Sequence, residues 1–320
     1  MKGNVTNTPK IVIKRKEITS QCIISALKRD KYLWLMLVLP ILYYGIFCYG
    51  PMYGLVIAFE KYSPYRGMLG GPWVGLKWFN EFFQSIFFLR LIKNTLLINI
   101  YNLIFGFPAP ILLALFINEI NLKWFKKTAQ TISYLPHFIS TVIVVGITVN
   151  FLSPSSGIVN VFLGMFGIQP INFMIMPQWF RTIYVTSSIW QEIGWGSIIY
   201  LAALSGVDPQ LYEAAEVDGA SKFQQKIHVT IPGIMPTIVI MLILSMGNML
   251  SIGAEKVLLL YNPLTYETGD VISTYIYRVG IGNSEFSFGT AVGLFQSIIN
   301  FILIILVNKI SRKLSETSLW

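Results

Sequence analysis

Residues able to make or break bonds are few in this chain of 320 residues. It contains no GxxxxGK[ST] phosphate loop and no HExxH metal pair. His137 and His228 lie far apart in sequence and make a poor metal set. Cys22 and Cys48 form no CxxC pair and have no clear catalytic partner. One acid, Glu192, stands inside an apolar stretch with Trp190, Gln191, Trp195 and Tyr200 around it. An acid at membrane depth is costly unless paired or hydrated, so Glu192 either lines a polar path or makes a structural hydrogen bond. Asn99, Tyr101 and Asn102, then Asn248, then Gln296 and Asn300 set further polar groups in apolar stretches. Taken singly, such groups tie membrane helices together. His137 follows Pro136 and reads as a packed or interfacial group, not a proton relay. The chemistry on offer is binding and positioning.

The elements that hold these residues are membrane helices. Hydrophobic residues make up 54% of the chain and charged residues only 12%. Mean hydropathy is +0.61. A soluble domain carries about 25% charged residues, so a water-soluble globule is excluded. Aromatics reach 14%, which excludes disorder. The net charge of +9 would suggest nucleic acid in a soluble protein. In a membrane protein it reflects Lys and Arg collecting on the cytoplasmic side, and no nucleic-acid partner is expected. The polar, basic start reads as a cytoplasmic tail, not a cleaved signal.

A helix needs about 20 apolar residues to cross a bilayer. Gaps between charges predict an all-α protein with six spans, over residues 32–59, 94–118, 128–152, 182–204, 233–252 and 286–308. Pro40 and Pro51 are expected to kink or end the first. Ser153, Pro154, Ser155, Ser156 and Gly157 end the third. Six spans put both termini on one side. Lys10 to Lys31, Lys123, Lys126, Lys127, Lys309, Arg312 and Lys313 make that side cytoplasmic. Lys61, Arg66, Lys77, Arg90 and Lys93 count against it, but their longer loop carries the Trp, Gly and Pro of an interfacial segment. Residues 1–31 and 309–320 then form cytoplasmic tails, and residues 32–308 the membrane domain. The basic N-terminal tail either lies along anionic lipid or only sets topology.

The cytoplasmic loop 205–232 has legible physics. Asp208 is a good N-cap and Pro209 suits the first helical turn. A short helix continues through Leu211 to Ala215. Asp218 and Gly219 break it, since glycine permits the tight turn. Ser221 caps a second short helix with Phe223 and Ile227 on one face. Pro232 ends it, and Pro236 stands at the start of span five. Helix physics alone also allows an ordinary helical loop here.

Glu213-Ala214-Ala215, then Asp218-Gly219-Ala220, then Ile231-Pro232 and Pro236, resembles the EAA loop of ABC importer permeases. The DGA form resembles the carbohydrate-uptake, maltose-permease-like branch. Lys226 departs from it, where the branch often has an aromatic. Asn94-Thr95, GPMYGLVIAF, GGPWVGLKWF, FGFPAPILLALFINEI, YLPHFISTVIVVG, WGSIIYLAAL, EKVLLLYNPLTYETGDVISTYIYRVG and RKLSETSLW are similar to its polysaccharide and complex-oligosaccharide subgroup.

The resemblance implies a type I importer permease in a bacterial cell membrane. It would form half of an oligosaccharide path beside a second, homologous permease. A cytoplasmic ATPase dimer would carry ATP and Mg, with no cofactor on this chain. An external or periplasmic binding protein would deliver the sugar. Glu213 would be a charged contact to the ATPase. Ala214, Ala215, Asp218, Gly219 and Ala220 would give close packing and the bend. Phe223 and Ile227 would anchor, and Pro232 would close the loop. Sugars bind to aromatic faces and polar groups, and transporter sites lie near the bilayer midplane. That makes Trp190, Glu192, Trp195, Asn99, Tyr101, Asn102, Asn248, Gln296 and Asn300 path candidates. A permease of the same superfamily for a peptide, amino acid or ion is the second reading. A secondary carrier would show inverted repeats with paired broken helices, and a membrane enzyme a catalytic cluster; the sequence displays neither.

Overall fold

Prolines and the apolar composition together decide how the helices run. The computed structural model describes residues 29–247, 250 and 252–315. Asn248, Cys22 and the basic tail through Lys28 lie outside the described residues, as do residues 316–320. The chain divides into two compact units, Met1–Leu55 and Val56–Trp320. Among the described residues the regular structure is helical, with only the isolated bridges Glu60–Trp73 and Ser63–Gly67. The helices, in chain order, begin with α1 (Lys31–Phe59), α2 (Lys77–Gln84) and α3 (Phe88–Asn118). Next come α4 (Lys123–Tyr134), α5 (Thr141–Phe151), α6 (Ile158–Gly164) and α7 (Pro177–Ser205). Then follow α8 (Pro209–Val217), α9 (Lys222–Gly247) and α10 (Ala254–Leu260). The last are α11 (Tyr266–Gly269), α12 (Ile272–Tyr275) and α13 (Phe286–Ser315).

Pro40 and Pro51, expected to kink or end the first span, do not end it, and Pro232 does not end its helix, contrary to expectation. Helix α1 contains a π-helical turn at Tyr44–Tyr49, two residues before Pro51. Helix α3 contains one at Asn102–Gly106, two residues before Pro108. Helix α9 contains one at Lys226–Thr230, two residues before Pro232. A proline ring strikes the carbonyl four residues back and offers no N–H. A turn with one extra residue moves that carbonyl aside, so the helix continues instead of stopping. The expected second short helix of the loop and span five are therefore one helix of 26 residues, beginning at Lys222 and not at 233.

The expected span 128–152 is broken instead of straight. Helix α4 passes into a short 3-10 turn, Leu135–Phe138, and α5 leaves at 103° to that segment. Ile139 is extended, and the Ser140 hydroxyl accepts a bond from the Ile143 N–H to start α5. Among the described residues, four helices are long and apolar enough to cross a membrane, or five if the bent pair is one span. Helix α7 has 29 residues, about 43 Å at 1.5 Å per residue. It starts at Pro177 and is too polar for that test. Its polarity is inside: Ser187, Gln191 and Ser197 are buried.

Helix α7 anchors two core clusters. Phe180 and Ile183 pack with Ile98, Val145, Phe173 and Val257. Tyr200 and Leu204 pack with Ala114 and Ile234. At Gly194 the backbones of α7 and α4 touch, because a Cβ there would collide with the Ser133 carbonyl. A third cluster joins Phe82, Leu91, Ile272, Tyr275, Phe288 and Val292.

Gly194→Ala should therefore destabilise the fold by about 1–3 kcal/mol, the range for overpacking. Thermal unfolding in detergent should show a midpoint lowered by several degrees. Gly164→Ala, where a Cβ meets nothing within 4 Å, serves as control.

Candidate functional site

Helix α7 presents a polar stripe along one face. Gln178, Arg181, Thr182, Val185, Thr186, Ile189, Glu192, Ile193, Gly196 and Tyr200 recur at helical spacing and line two adjoining pockets. The first pocket, of about 410 Å³, holds Glu192 with Ser188, Tyr200 and Ser245. Helix α3 closes it with Asn102, Gly106, Phe107 and Pro110. The second, of about 560 Å³, holds Arg181, Gln178, Thr182 and Thr186 with Tyr101 and Phe105. Ile189 lines both. From Gln178 to Tyr200 the stripe runs about 33 Å at 1.5 Å per residue, close to the hydrocarbon thickness of a bilayer. The π turn of α3 brings Asn102 over Gly106, where any Cβ would strike the Asn102 amide.

Of the sequence candidates among the described residues, Tyr101, Asn102 and Glu192 line these two pockets, and the others do not. Asn99 donates to the Thr95 carbonyl of its own helix, 2.7 Å away. Trp190 lines a third, mostly apolar pocket of about 900 Å³ with Trp179, Phe173 and Leu163, which shares Thr182 and Thr186 with the second. Gln296 donates to the Leu250 carbonyl, and Asn300 accepts from the Leu250 N–H. Both tie α13 to the segment after α9. Trp195 stacks flat on His137, with ring centroids 4.5 Å apart. His137 Nδ1 lies 2.9 Å from Glu192 Oε2, so histidine, tryptophan and glutamate form one assembly at the break before α5. Glu192 thus both lines a pocket and makes a structural hydrogen bond.

Sequence reasoning missed two features. Lys256 on α10 is only 7% exposed and donates to Ser188 Oγ at 2.9 Å. Burial pushes its ammonium down to about 8, and the Glu192 carboxylate opposes that shift. The second is a buried polar knot around Asp270, which is fully buried. Its carboxylate takes two bonds from Arg278, at 2.7 and 3.1 Å, one from Arg90 at 3.2 Å and one from Thr274 at 3.0 Å. Asn94 donates to the carbonyls of Glu267 and Asp270 and accepts from Arg181 Nη2. Thr95 Oγ1 accepts from the Ile272 N–H. Asn94 and Thr95 therefore hold the whole 267–272 segment against α3. The signal available in the sequence was Asp270 and Arg278, an acid and a base eight residues apart.

The loop after α7 stands apart from this site. Asp208 caps α8 by accepting from the Gln210 N–H at 2.9 Å. Gly219 takes φ +77, a conformation that side chains rarely adopt. Ser221 and Gln224 form a reciprocal capping box at the start of α9. Helix α8 buries no residue. Leu211, Val217, Phe223 and Ile227 are exposed, Val217 by 88% and Phe223 by 71%. Glu213, Ala214 and Asp218 are exposed, and Ala215 and Ala220 are half-buried.

Residues 106–316 match the family described as binding-protein-dependent transport system inner membrane component. The polygalacturonan/rhamnogalacturonan transport system permease protein YteP of Bacillus subtilis is 44% identical, over 97% of this chain and 96% of its own length. Protein LplB of the same organism is 44% identical, over 92% of this chain and 93% of its own. A solved bacterial ABC transporter involved in the import of the acidic polysaccharide alginate contains a chain 46% identical to this one. The TM-score is 0.84, covering 92% of this chain and 99% of that one. A bacterial alginate ABC transporter solved in complex with an alginate pentasaccharide-bound periplasmic protein matches equally, at 46% identity and TM-score 0.84 over 92% of this chain and 99% of that one.

Asp270→Asn keeps the shape of the knot but leaves Arg90 and Arg278 facing each other without a counter-charge. Breaking a buried pair costs about 3–5 kcal/mol, and these guanidiniums are 32% and 30% exposed, so the lower end applies. A clear drop in thermal midpoint in detergent is expected. An unchanged midpoint would show that the knot does not hold the 267–272 segment.

Proposed function

The chain belongs to the family of binding-protein-dependent transport system inner membrane components, and on that premise we propose that it is half of an ATP-driven oligosaccharide path. It is a multi-pass permease of the bacterial cell membrane. Its solute is an oligosaccharide derived from a polysaccharide. The similarity to permeases named for pectic polysaccharides and alginate import supports that choice over a peptide or amino acid. The partners are a second homologous permease, a cytoplasmic ATPase dimer holding ATP and Mg, and an external binding protein. Six spans with both termini inside complete the reading, with α7 as the fourth despite its polarity.

One observation carries the coupling role. Helix α8 and the start of α9 leave Leu211, Val217, Phe223 and Ile227 bare on a capped, well-formed loop. Exposed apolar groups on ordered backbone mark a binding surface. A cytoplasmic ATPase cleft fits it. Glu213 supplies the charged contact, Ala214, Ala215 and Ala220 allow close approach, and Asp218 and Gly219 set the angle. Because Lys222–Gly247 is one helix, a push on the loop reaches the wall of the Glu192 pocket directly, through Met241, Leu244 and Ser245. ATP binding then shifts the population of inward and outward states by its differential contacts with each. Along the path, Tyr101 offers an aromatic face, and Asn102 and Glu192 offer hydrogen bonds.

The test is co-purification from the native host in mild detergent. The wild-type chain should retain an ATPase and a second permease. Gly219→Val should lose the ATPase and keep the permease, since a Cβ there meets nothing but the backbone is strained. ATP-dependent uptake should fall with it. A chain that purifies alone and transports without ATP would sink the reading.

A further inference from the structure

Arg181 is an arginine without an acid. Three arginines, Arg90, Arg181 and Arg278, converge on the knot, which holds one buried carboxylate. Asp270 is taken up by Arg90 and Arg278. Arg181 is left with a neutral partner, Asn94 Oδ1, at 2.9 Å. Its Nε is buried and has no hydrogen-bond partner. A guanidinium offers five donors in a fixed fork, and leaving one buried and unmade is unfavourable. The same side chain lines the pocket of about 560 Å³. Around it stand Tyr101 and Phe105, which offer aromatic surface, and Gln178, Thr182 and Thr186, which offer amide and hydroxyl groups.

From this geometry we infer that the pocket is a subsite for a saccharide carboxylate, with Arg181 as the residue that selects acidic over neutral sugars. A carboxylate matches the guanidinium fork, and the pairing gains strength where water is excluded. The aromatic rings and hydroxyls suit the rest of a uronate ring. Arg181 Nη2 stays on Asn94, so the arginine is held in place before the sugar arrives. The neighbouring pocket carries an acid instead, Glu192, and takes the hydroxyl-bearing part of the chain. The inference rests on the oligosaccharide reading above and adds the charge of the solute and the residue that reads it.

The experiment uses the whole importer in proteoliposomes, with its partner permease, ATPase and binding protein. Two probes are compared: a galacturonate tetrasaccharide, and the same chain with its carboxyl groups reduced to hydroxymethyl groups. Each is loaded into the lumen, and its ability to stimulate ATP hydrolysis in trans and to exchange is read together with forward uptake, so that selection by the binding protein is separated from selection by the permease. Wild type should favour the acidic chain. Arg181→Gln keeps a donor for Asn94 and loses the charge. It should lower the acid-to-reduced ratio by at least about tenfold, the factor that one charged hydrogen bond supports. Arg181→Lys should recover part of the ratio, since it restores charge without the fork. An unchanged ratio in Arg181→Gln overturns the inference, and so does an equal loss for both probes, which marks a structural role. A ratio that follows the anionic lipid content of the vesicle, and not the probe, assigns Arg181 to a headgroup and also overturns it. A wild type that transports the reduced chain alone overturns the inference and leaves the oligosaccharide reading standing. A wild type that transports neither probe nor any other oligosaccharide removes both.

Discussion

Inside a bilayer no water is available to satisfy a stray polar group, and every such group must find its partner within the protein. The rest of this structure follows from that constraint. Asn94 is 1% exposed and has three bonds, two given and one received. Asp270 is fully buried and is held by two guanidiniums and a hydroxyl. Together they fasten the short helices α11 and α12, which could not stand alone, onto α3 and α7. Polar residues in this chain act first as fasteners, and only a residue left over from fastening is free for a solute.

The same constraint governs the backbone. A proline within a membrane helix frees a carbonyl that water cannot reach. The π turns before Pro51, Pro108 and Pro232 let the helices continue across it. Two of these turns also serve the site. One turns Asn102 toward the pocket beside Glu192. The other joins the exposed loop to α9 without a break.

Helix α7 unites the two demands. Its buried polar face packs through Ser187, Gln191 and Ser197, and its closest approach to α4 is at Gly194. Its stripe from Gln178 to Tyr200 lines the pockets. Polarity that would be costly against lipid is tolerated where neighbouring helices shield it. The bend at Ile139 and Ser140 supplies part of that shield, placing His137 and Trp195 together beside Glu192.

Composition alone determined the membrane class, because 12% charge cannot cover a soluble surface. The loop was legible for a local reason: Asp208, Pro209, Gly219 and Ser221 act on their immediate neighbours, and caps and turns are short-range. The family was legible through Glu213-Ala214-Ala215 and Asp218-Gly219-Ala220 as they stand in order. The end of the second loop helix at Pro232 was misread, since proline breaks an ideal α-helix and a π turn leaves no mark in residue type. The pocket lining was only partly legible. Tyr101, Asn102 and Glu192 reach the two pockets along α7, while Gln296 and Asn300 bind Leu250, and Trp195 stacks on His137. Residue type states what a side chain could bond. Only the tertiary structure decided which bonds were already made, because the partners of Asp270, Asn94 and Arg181 come from segments up to 180 residues away.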